Sequence, residues 1–462
     1  MAYQSLLTNG ASINMIGETF YSPTAALPTN TNIPLYTTYC FLGKVGPWTD
    51  DTNPPQPTQD QSYIKQVFKR IFAVKKLTSS NMSPVIQRID WTANTVYSFY
   101  QDTVDMNQKD INGNLIYNYY VKNKYDQVFK CLWNNNGIPS TVEPYFEPGT
   151  YDSNGIFKGS DGYKWKFMYV IDSGKKNNFM DSTWMPVTIQ NYAPNPLVSS
   201  AGYGDIEAVN ITNFGTGYNP SVSPITVTII GDGTGATAQP IYSNNQMIDI
   251  QVTNLGENYT YANVFINSGQ GSGATAIAPV SPVGGHGFDP ISELGCSNIM
   301  YSIEFNGTEG GVIPVGDSNN PVIFHQIGLL VNPVGLDTNP NPANAAIYRT
   351  TTDIQVAAGA GTYLNDEIVY QSPDRTLANA TFSGTVLYFD PGLNLIYLLN
   401  TTGNITNNAS LYSNISQTTR TVLSYTFPTF TLLSGYITYI QNMSAVQRST
   451  DGIEQFRFVS SF

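Results

Sequence analysis

The residue types best suited to catalysis are scarce in this chain of 462 residues. Its only histidines are His286 and His325, which lie too far apart for the HExxH motif of zinc enzymes. A Ser-His-Asp triad would have to use one of them, and no GxSxG motif is present. The glycine-rich surroundings of His286 predict a flexible loop that would hold a base poorly. The apolar run around His325 predicts an ordinary strand residue.

Two glycine-rich sequences and one acidic loop are similar to ligand-binding motifs. Residues 231–238 and 269–276 suggest a phosphate loop, but no Lys-Ser/Thr pair follows, and tight turns between strands account for them better. The sequence Asp110–Asn114 resembles a calcium loop, but Val121 occupies the position of its bidentate glutamate, so we predict a hairpin turn. The 33 acidic residues do not single out a pair for glycoside hydrolysis.

Composition and charge narrow the function classes further. Charged residues make up 12% of the chain, about half of the usual share. The net charge of −12 disfavours binding to nucleic acid. No apolar run is long enough for a membrane helix, and the first residues do not resemble a signal peptide. The odd set of distant cysteines (Cys40, Cys131 and Cys296) predicts no disulfide framework. We predict no enzymatic activity and no catalytic, cofactor-binding or metal-binding residue.

One segment, near residues 60–73, has the pattern of an amphipathic helix, with Thr58 and Ser62 as candidate N-caps. Apolar residues recur in it at helical spacing: Ile64, Val67, Phe68 and Ile71. Basic residues lie off that stripe: Lys65, Lys69 and Arg70. They could contact an anion or a partner, but we interpret them as a solvated face of the helix.

Most other segments have the composition of short strands joined by tight turns. In the first part of the chain the candidate strands are Trp91–Tyr100, Tyr117–Val121, Tyr125–Trp133 and Tyr163–Val170. In the last of these, aromatic and cationic residues alternate, as in a half-buried strand. The predicted fold class is mainly β: an antiparallel β-sandwich core with few helices, plus inserted small β modules.

An internal repeat begins near residue 200. The sequence Val209–Gly215, followed by Tyr218, recurs as Ile250–Gly256, followed by Tyr259. The two glycine-rich sequences are the second half of the same repeat. Two stacked repeats would share one small core, because neither could bury its apolar face alone.

These patterns predict five segments. Residues 1–198 are the N-terminal part of the core, which ends at the proline-marked boundary Ala193–Pro196. The others are the repeat module (199–283), a continuation of the core (284–350), a second inserted β meander (351–420) and C-terminal core strands (421–462). The meander contains the candidate strands Glu367–Tyr370, Gly384–Phe389 and Leu395–Leu399, and the C-terminal segment contains Tyr436–Ile440.

Several stretches, in this order along the chain, resemble the gene product eight family of baseplate wedge proteins from T-even-like contractile-tailed phages. They are Tyr39–Trp48, Asp90–Trp91, Asp161–Tyr169, Phe324–Pro333, Ser434–Asn442 and Glu454–Phe458. The similarity covers roughly residues 30–190, 286–335 and 434–462. The repeat module and the meander have no counterpart in the T-even protein. They are similar to modules of other phage tail proteins, including those of phages that infect cyanobacteria.

The resemblance implies a non-enzymatic structural subunit of the tail baseplate in the virion, assembled in the host cytoplasm. It implies a homodimer that contacts other wedge proteins, takes part in baseplate assembly and moves during sheath contraction, without nucleic acid or membrane. The alternative is a receptor-binding adhesin that binds host glycans through the repeat module; a depolymerising enzyme is a further alternative. Deletion of residues 200–283 would separate the first two hypotheses. The sequence leaves open which residues form the dimer interface and which face meets which partner.

Overall fold

The computed structural model of the protein describes residues 37–43, 47–147, 149–152, 154–188, 203–219, 221–317, 320–338, 341–448 and 452–461. Strands account for 45% of it and helices for 7%, so the protein is mainly β with antiparallel sheets, and the predicted fold class is confirmed. The described chain forms two compact units. The first contains residues 83–300 and 459–461, and the second contains residues 37–82 and 301–458.

The described helices are α1 (Gln61–Lys69), α2 (Ser173–Phe179) and α3 (Pro290–Glu293). The strands up to residue 188 are β1 (Thr38–Gly43), β2 (Ile71–Lys76), β3 (Met82–Gln87), β4 (Tyr120–Lys122), β5 (Gln127–Trp133), β6 (Ile156–Lys158), β7 (Lys164–Val170) and β8 (Trp184–Pro186). The repeat module contains β9 (Asn210–Thr216), β10 (Ile225–Gly231), β11 (Thr237–Ser243), β12 (Gln246–Asn254), β13 (Ala262–Ser268) and β14 (Ser272–Ile277). The remaining strands are β15 (Asn298–Asn306), β16 (Ile323–Val331), β17 (Ile347–Tyr348), β18 (Thr352–Val356), β19 (Ile368–Gln371), β20 (Phe382–Asp390), β21 (Leu395–Gly403), β22 (Ser410–Ser413), β23 (Thr419–Thr426), β24 (Tyr436–Gln447) and β25 (Ile453–Ser461).

An antiparallel sheet of order β4-β5-β7-β6, which we call the core sheet, belongs to the first unit. Because side chains alternate along a strand, its two faces differ in character. One face is aromatic and buries Phe129, Cys131 and Trp165 in one cluster. The opposite face carries lysines, and Lys130 on β5 lies directly opposite Lys166 on β7.

The repeat module folds as a single sheet of order β12-β11-β10-β13-β14-β9. The first repeat contributes β9–β11 and the second contributes β12–β14. The first strand of each repeat pairs with the last strand of the other, so the order is symmetric about the β10–β13 pair. The two ends of the sheet meet at a bridge between Val209 and Ile250. One apolar cluster contains residues of both repeats, including Ile229 and Val252.

The recurring tyrosine and glycine of the repeat have matching structural roles. The hydroxyl of Tyr218 accepts a hydrogen bond from the backbone N–H of Ala274 (3.1 Å). The hydroxyl of Tyr259 accepts the equivalent bond from Ala236 (3.3 Å). Gly256 has a φ of +67°, and a Cβ atom there would lie 2.5 Å from the backbone nitrogen of Ala236. The glycine-rich sequences connect β10 to β11 and β13 to β14, as predicted, and Gly256 admits the close approach of the backbone at Ala236.

The second unit contains a sheet of order β17-β2-β1-β16-β24 and a closed barrel of order β18-β21-β20-β19-β22-β23. Helix α1 packs on the sheet, because Val67 and Phe68 are buried in one cluster with Tyr39 and Phe41. The three strands predicted for the meander lie in the barrel as β19, β20 and β21.

Two local predictions were wrong. The helix predicted near residues 60–73 ends at Lys69, because Ile71 begins β2 and its side chain is fully buried in the sheet. Its N-cap is Asp60 rather than Thr58 or Ser62. The predicted strand at residues 91–100 is a loop, in which the hydroxyl of Tyr97 accepts a hydrogen bond from the backbone N–H of Thr92 (2.7 Å). The predicted boundary at residues 193–196 lies outside the described residues.

Candidate functional site

The largest described cluster of buried charges lies on the second face of the core sheet. Lys130, Lys158, Lys164 and Lys166 project from β5, β6 and β7 on this side, and we call them the lysine face. A half-buried strand, as predicted for β7, would expose its lysines to solvent. Instead, Lys166 of β7 is only 1% exposed, and so is Lys130 of the neighbouring strand β5. Sequence reasoning missed this burial, because alternation along one strand does not show what covers the strand.

Acidic side chains distant in sequence cover the lysine face. Glu207 and Asp249 come from the repeat module, and Glu293 comes from α3, which follows it. The ion pairs are Lys166–Glu207, Lys164–Asp249 (2.8 Å), Lys158–Asp249 (3.2 Å) and Lys130–Glu293 (3.0 Å). Glu207 near the beginning of the repeat module and Asp249 in its middle thus hold the module on the core sheet. Glu293 holds α3, which follows the module, on the same sheet.

His286 lies inside this cluster and is 2% exposed. Its Nδ1 atom lies 3.0 Å from the ammonium group of Lys130. Because an ammonium group can only donate, Nδ1 accepts the hydrogen bond and the imidazole ring is neutral. The backbone N–H of His286 donates to Glu207 (2.6 Å), and the ring packs edge-on against Tyr100. The prediction of a flexible loop here was therefore wrong, since buried partners fix this residue from several sides.

The pKa shifts in the cluster follow from burial and pairing. Burial lowers the pKa of Lys130, and the charge of Glu293 opposes that shift. Burial alone would raise the pKa of Glu207, but Lys166 and His286 outweigh it, so the pKa of Glu207 is lowered. Burial, together with the charge of Lys130, lowers the pKa of His286 well below its usual value. The carboxylate of Glu207 is therefore stabilised in its charged form, and the imidazole of His286 in its neutral form.

Acidification is expected to destabilise the first unit, beginning below the unfolded-state pKa of histidine, about 6.5. A lowered folded-state pKa means that stability is present above that pH and is lost as the pH falls, because the unfolded state binds the proton more readily. We expect His286 to contribute a loss of about 1 kcal/mol between roughly pH 6.5 and 5.5. The lowered pKa of Glu207 adds a second loss at lower pH.

Urea denaturation at a series of pH values measures this dependence. The variant His286→Gln keeps an oxygen that can accept from Lys130 but does not titrate. The variant should therefore have a flatter dependence between pH 6.5 and 5.5 than the unsubstituted protein. Equal slopes for the two proteins would contradict the assignment of this pH dependence to His286.

The other candidate residues of the sequence are not members of this cluster. His325 is buried in β16, as predicted. Asp110 closes an exposed turn by accepting hydrogen bonds from the backbone N–H groups of Asn112 and Asn114, in agreement with the predicted hairpin. Lys65 and Lys69 of α1 are exposed.

The remaining features of the described residues concern metal ions, thiols and membrane helices. No group of three or more His, Cys, Asp and Glu residues among them could hold a metal ion. All three cysteines are buried thiols, and burial raises their pKa values. None of the described helices is long and apolar enough to cross a membrane.

A surface cleft of about 340 Å³ lies between the repeat module and the loop that precedes β7. Lys158, Asp161 and Asp249 contribute charged groups to its lining, and Phe214 and Ile248 contribute apolar ones. Phe214 and Ile248 are 38% and 47% exposed. The cleft therefore combines polar groups with accessible apolar surface.

No protein-family model matches this chain, and no curated protein is significantly similar to it.

Proposed function

We propose that this protein is a structural subunit of the tail baseplate wedge of a contractile-tailed phage. The observation that carries the proposal is the lysine face, whose buried charges are paired with acidic residues of the inserted module and of α3, which follows it. Such pairs fix one module on another, and each charged group interacts with its partner in the pair. That arrangement suits a protein that acts through its shape and its docking surfaces.

The sequence resemblance also supports this function. Three of the stretches that carry it are distant in sequence and include β1, β16 and the first half of β24. These strands are neighbours in one sheet, because β16 pairs with β1 on one side and with β24 on the other. These three stretches therefore form a contiguous piece of structure. We propose accordingly that the protein is a homodimer that contacts other wedge proteins, without enzymatic activity or cofactor, and that its location is the virion baseplate.

The test is to locate the chain in intact tailed particles by electron cryo-microscopy. We expect density for the closed barrel and for the sheet of the repeat module in every wedge of the baseplate. We also expect particles produced without the chain to lack assembled baseplates. Absence of the chain from purified particles, or its location at the tip of a tail fibre, would overturn the proposal.

The cleft beside the repeat module favours a second candidate function, a receptor-binding adhesin. Exposed aromatic and apolar side chains next to polar groups are suited to stacking on a sugar. Deletion of residues 200–283 is a poor test, since it would remove Glu207 and Asp249 and leave buried lysines unpaired. The sharper variant is Phe214→Ala, with Val222→Ala as the control on the same module. Loss of host adsorption in the first variant alone would favour the adhesin.

A further inference from the structure

A groove of about 800 Å³ lies in the second unit, between α1 and the first half of β24. Ile64 and Phe68 of α1 contribute to one wall, and Tyr436, Ile437 and Ile440 of β24 contribute to the other. Among the described residues, Lys65 is the only charged one that lines the groove. Tyr436 is 75% exposed, and with the half-buried Ile437 and Ile440 it gives the groove accessible apolar surface.

The strand that forms this wall is the last in its sheet. Among the described strands, β24 pairs with β16 on one side and with no strand on the other. It has 12 residues and contains neither a charged side chain nor a proline, two features that usually protect such edges, although its pairing with β16 shifts register twice. Its outer edge therefore offers unpaired backbone groups to another strand.

Among the described residues, the chain itself covers only the second half of this edge. The indole N–H of Trp48 donates to the backbone carbonyl of Met443 (2.9 Å), and Ser444 donates to the carbonyl of Asp51 (2.6 Å). In the part of the chain that the structure describes, the first half lies open beside the groove. Within it, a shift of register leaves Thr438 without a partner residue on β16.

We propose that the first half of β24 pairs antiparallel with the same strand of a second copy of this chain, about a two-fold axis. The inference deepens the proposed function, because it places the interface of the proposed homodimer. In such a pair each strand faces itself, so a charged residue near the axis would face its own copy and weaken the contact. The absence of charge in β24 removes that repulsion, although each chain carries a net charge of −12.

Sedimentation of the full-length chain tests the proposal through the exposed residue Thr438. We expect the unsubstituted chain to be a dimer and the variants Thr438→Lys and Thr438→Glu each to have half its mass. An equimolar mixture of the two variants should recover the dimer, because opposite charges then meet across the axis. Leu393→Lys places a charge on a side chain that is 60% exposed in a turn of the barrel, and this control should remain a dimer.

A monomeric unsubstituted chain would overturn the proposal, and so would two single variants that remain dimers. Circular dichroism that matches the unsubstituted chain shows that the variants are folded. The result is independent of the particle experiment. A dimer through another face would contradict pairing of β24 but not the baseplate function. Absence of the chain from particles would contradict the baseplate function but not the β24 dimer.

Discussion

Replacement of Lys166 by methionine is expected to lower the free energy of unfolding of the first unit by about 3–5 kcal/mol, the usual effect of removing one partner of a buried ion pair. The carboxylate of Glu207 would remain in place, with a side chain that is fully shielded from solvent. Its hydrogen bond from the backbone N–H of His286 would not compensate its charge. Urea denaturation followed by tryptophan fluorescence measures the loss, since Trp165 is buried in the same strand.

Two further variants identify the cause of that loss. The double variant Lys166→Met/Glu207→Gln removes both charges and keeps an oxygen that can accept from His286, so it should recover most of the stability. Lys124→Met removes a lysine that is 63% exposed and should leave the unfolding curve unchanged. Equal losses in the single and double variants would contradict the explanation through an unpaired buried charge.

Replacement of Gly256 by alanine is expected to destabilise the repeat module by about 2–5 kcal/mol, because overpacking costs about 1–3 kcal/mol and a left-handed backbone about 1–2 kcal/mol. The added Cβ would lie 2.5 Å from the nitrogen of Ala236 and 2.7 Å from the carbonyl oxygen of Thr234. Both are backbone atoms, so neither can move aside without disturbing the turn. Thermal unfolding followed by circular dichroism measures the effect.

Gly113→Ala is the matched control, because Gly113 has a φ of +82° but no atom within 4 Å of the added Cβ. Gly113→Ala should lower the stability only by the free energy that the left-handed backbone conformation costs an alanine. Gly215→Ala, at the equivalent position of the first repeat, should behave like Gly256→Ala, since its Cβ would lie 2.6 Å from the nitrogen of Ala274. Equal effects of Gly256→Ala and Gly113→Ala would contradict the role assigned to the close backbone approach.

The strands were the part of the fold that the sequence predicted best. Tyr163–Val170 and Leu395–Leu399 were predicted as strands and lie in β7 and β21, because their β-branched and aromatic residues suit a pleated surface. The same reasoning failed for residues 91–100, where local hydrogen bonds of Tyr97 stabilise a loop instead. It also extended α1 into Ile71, whose burial in a sheet depends on residues distant in sequence.

The lysine face was not predictable from local pattern. The alternation of Lys164 and Lys166 with aromatic residues in β7 showed that they share a face, and it gave no information about their partners. Glu207 and Asp249 lie 41 and 85 residues away from these lysines along the chain. The sequence neighbours of Glu207 and Asp249 do not indicate burial, because the two residues pair with lysines only when the repeat module covers the sheet. A charged residue at alternate positions of a strongly aromatic strand was the one available signal.

The exchange of outer strands in the repeat module bears on how the module arose and on how small it can be made. A peptide with one repeat would leave β9 without its neighbour β14 and β11 without its neighbour β12. Two such peptides could complete each other as an intertwined pair, and joining them end to end would give the arrangement seen in one chain. Duplication and fusion of an ancestral dimer-forming segment thus account for the architecture, and any shortened version should retain both halves.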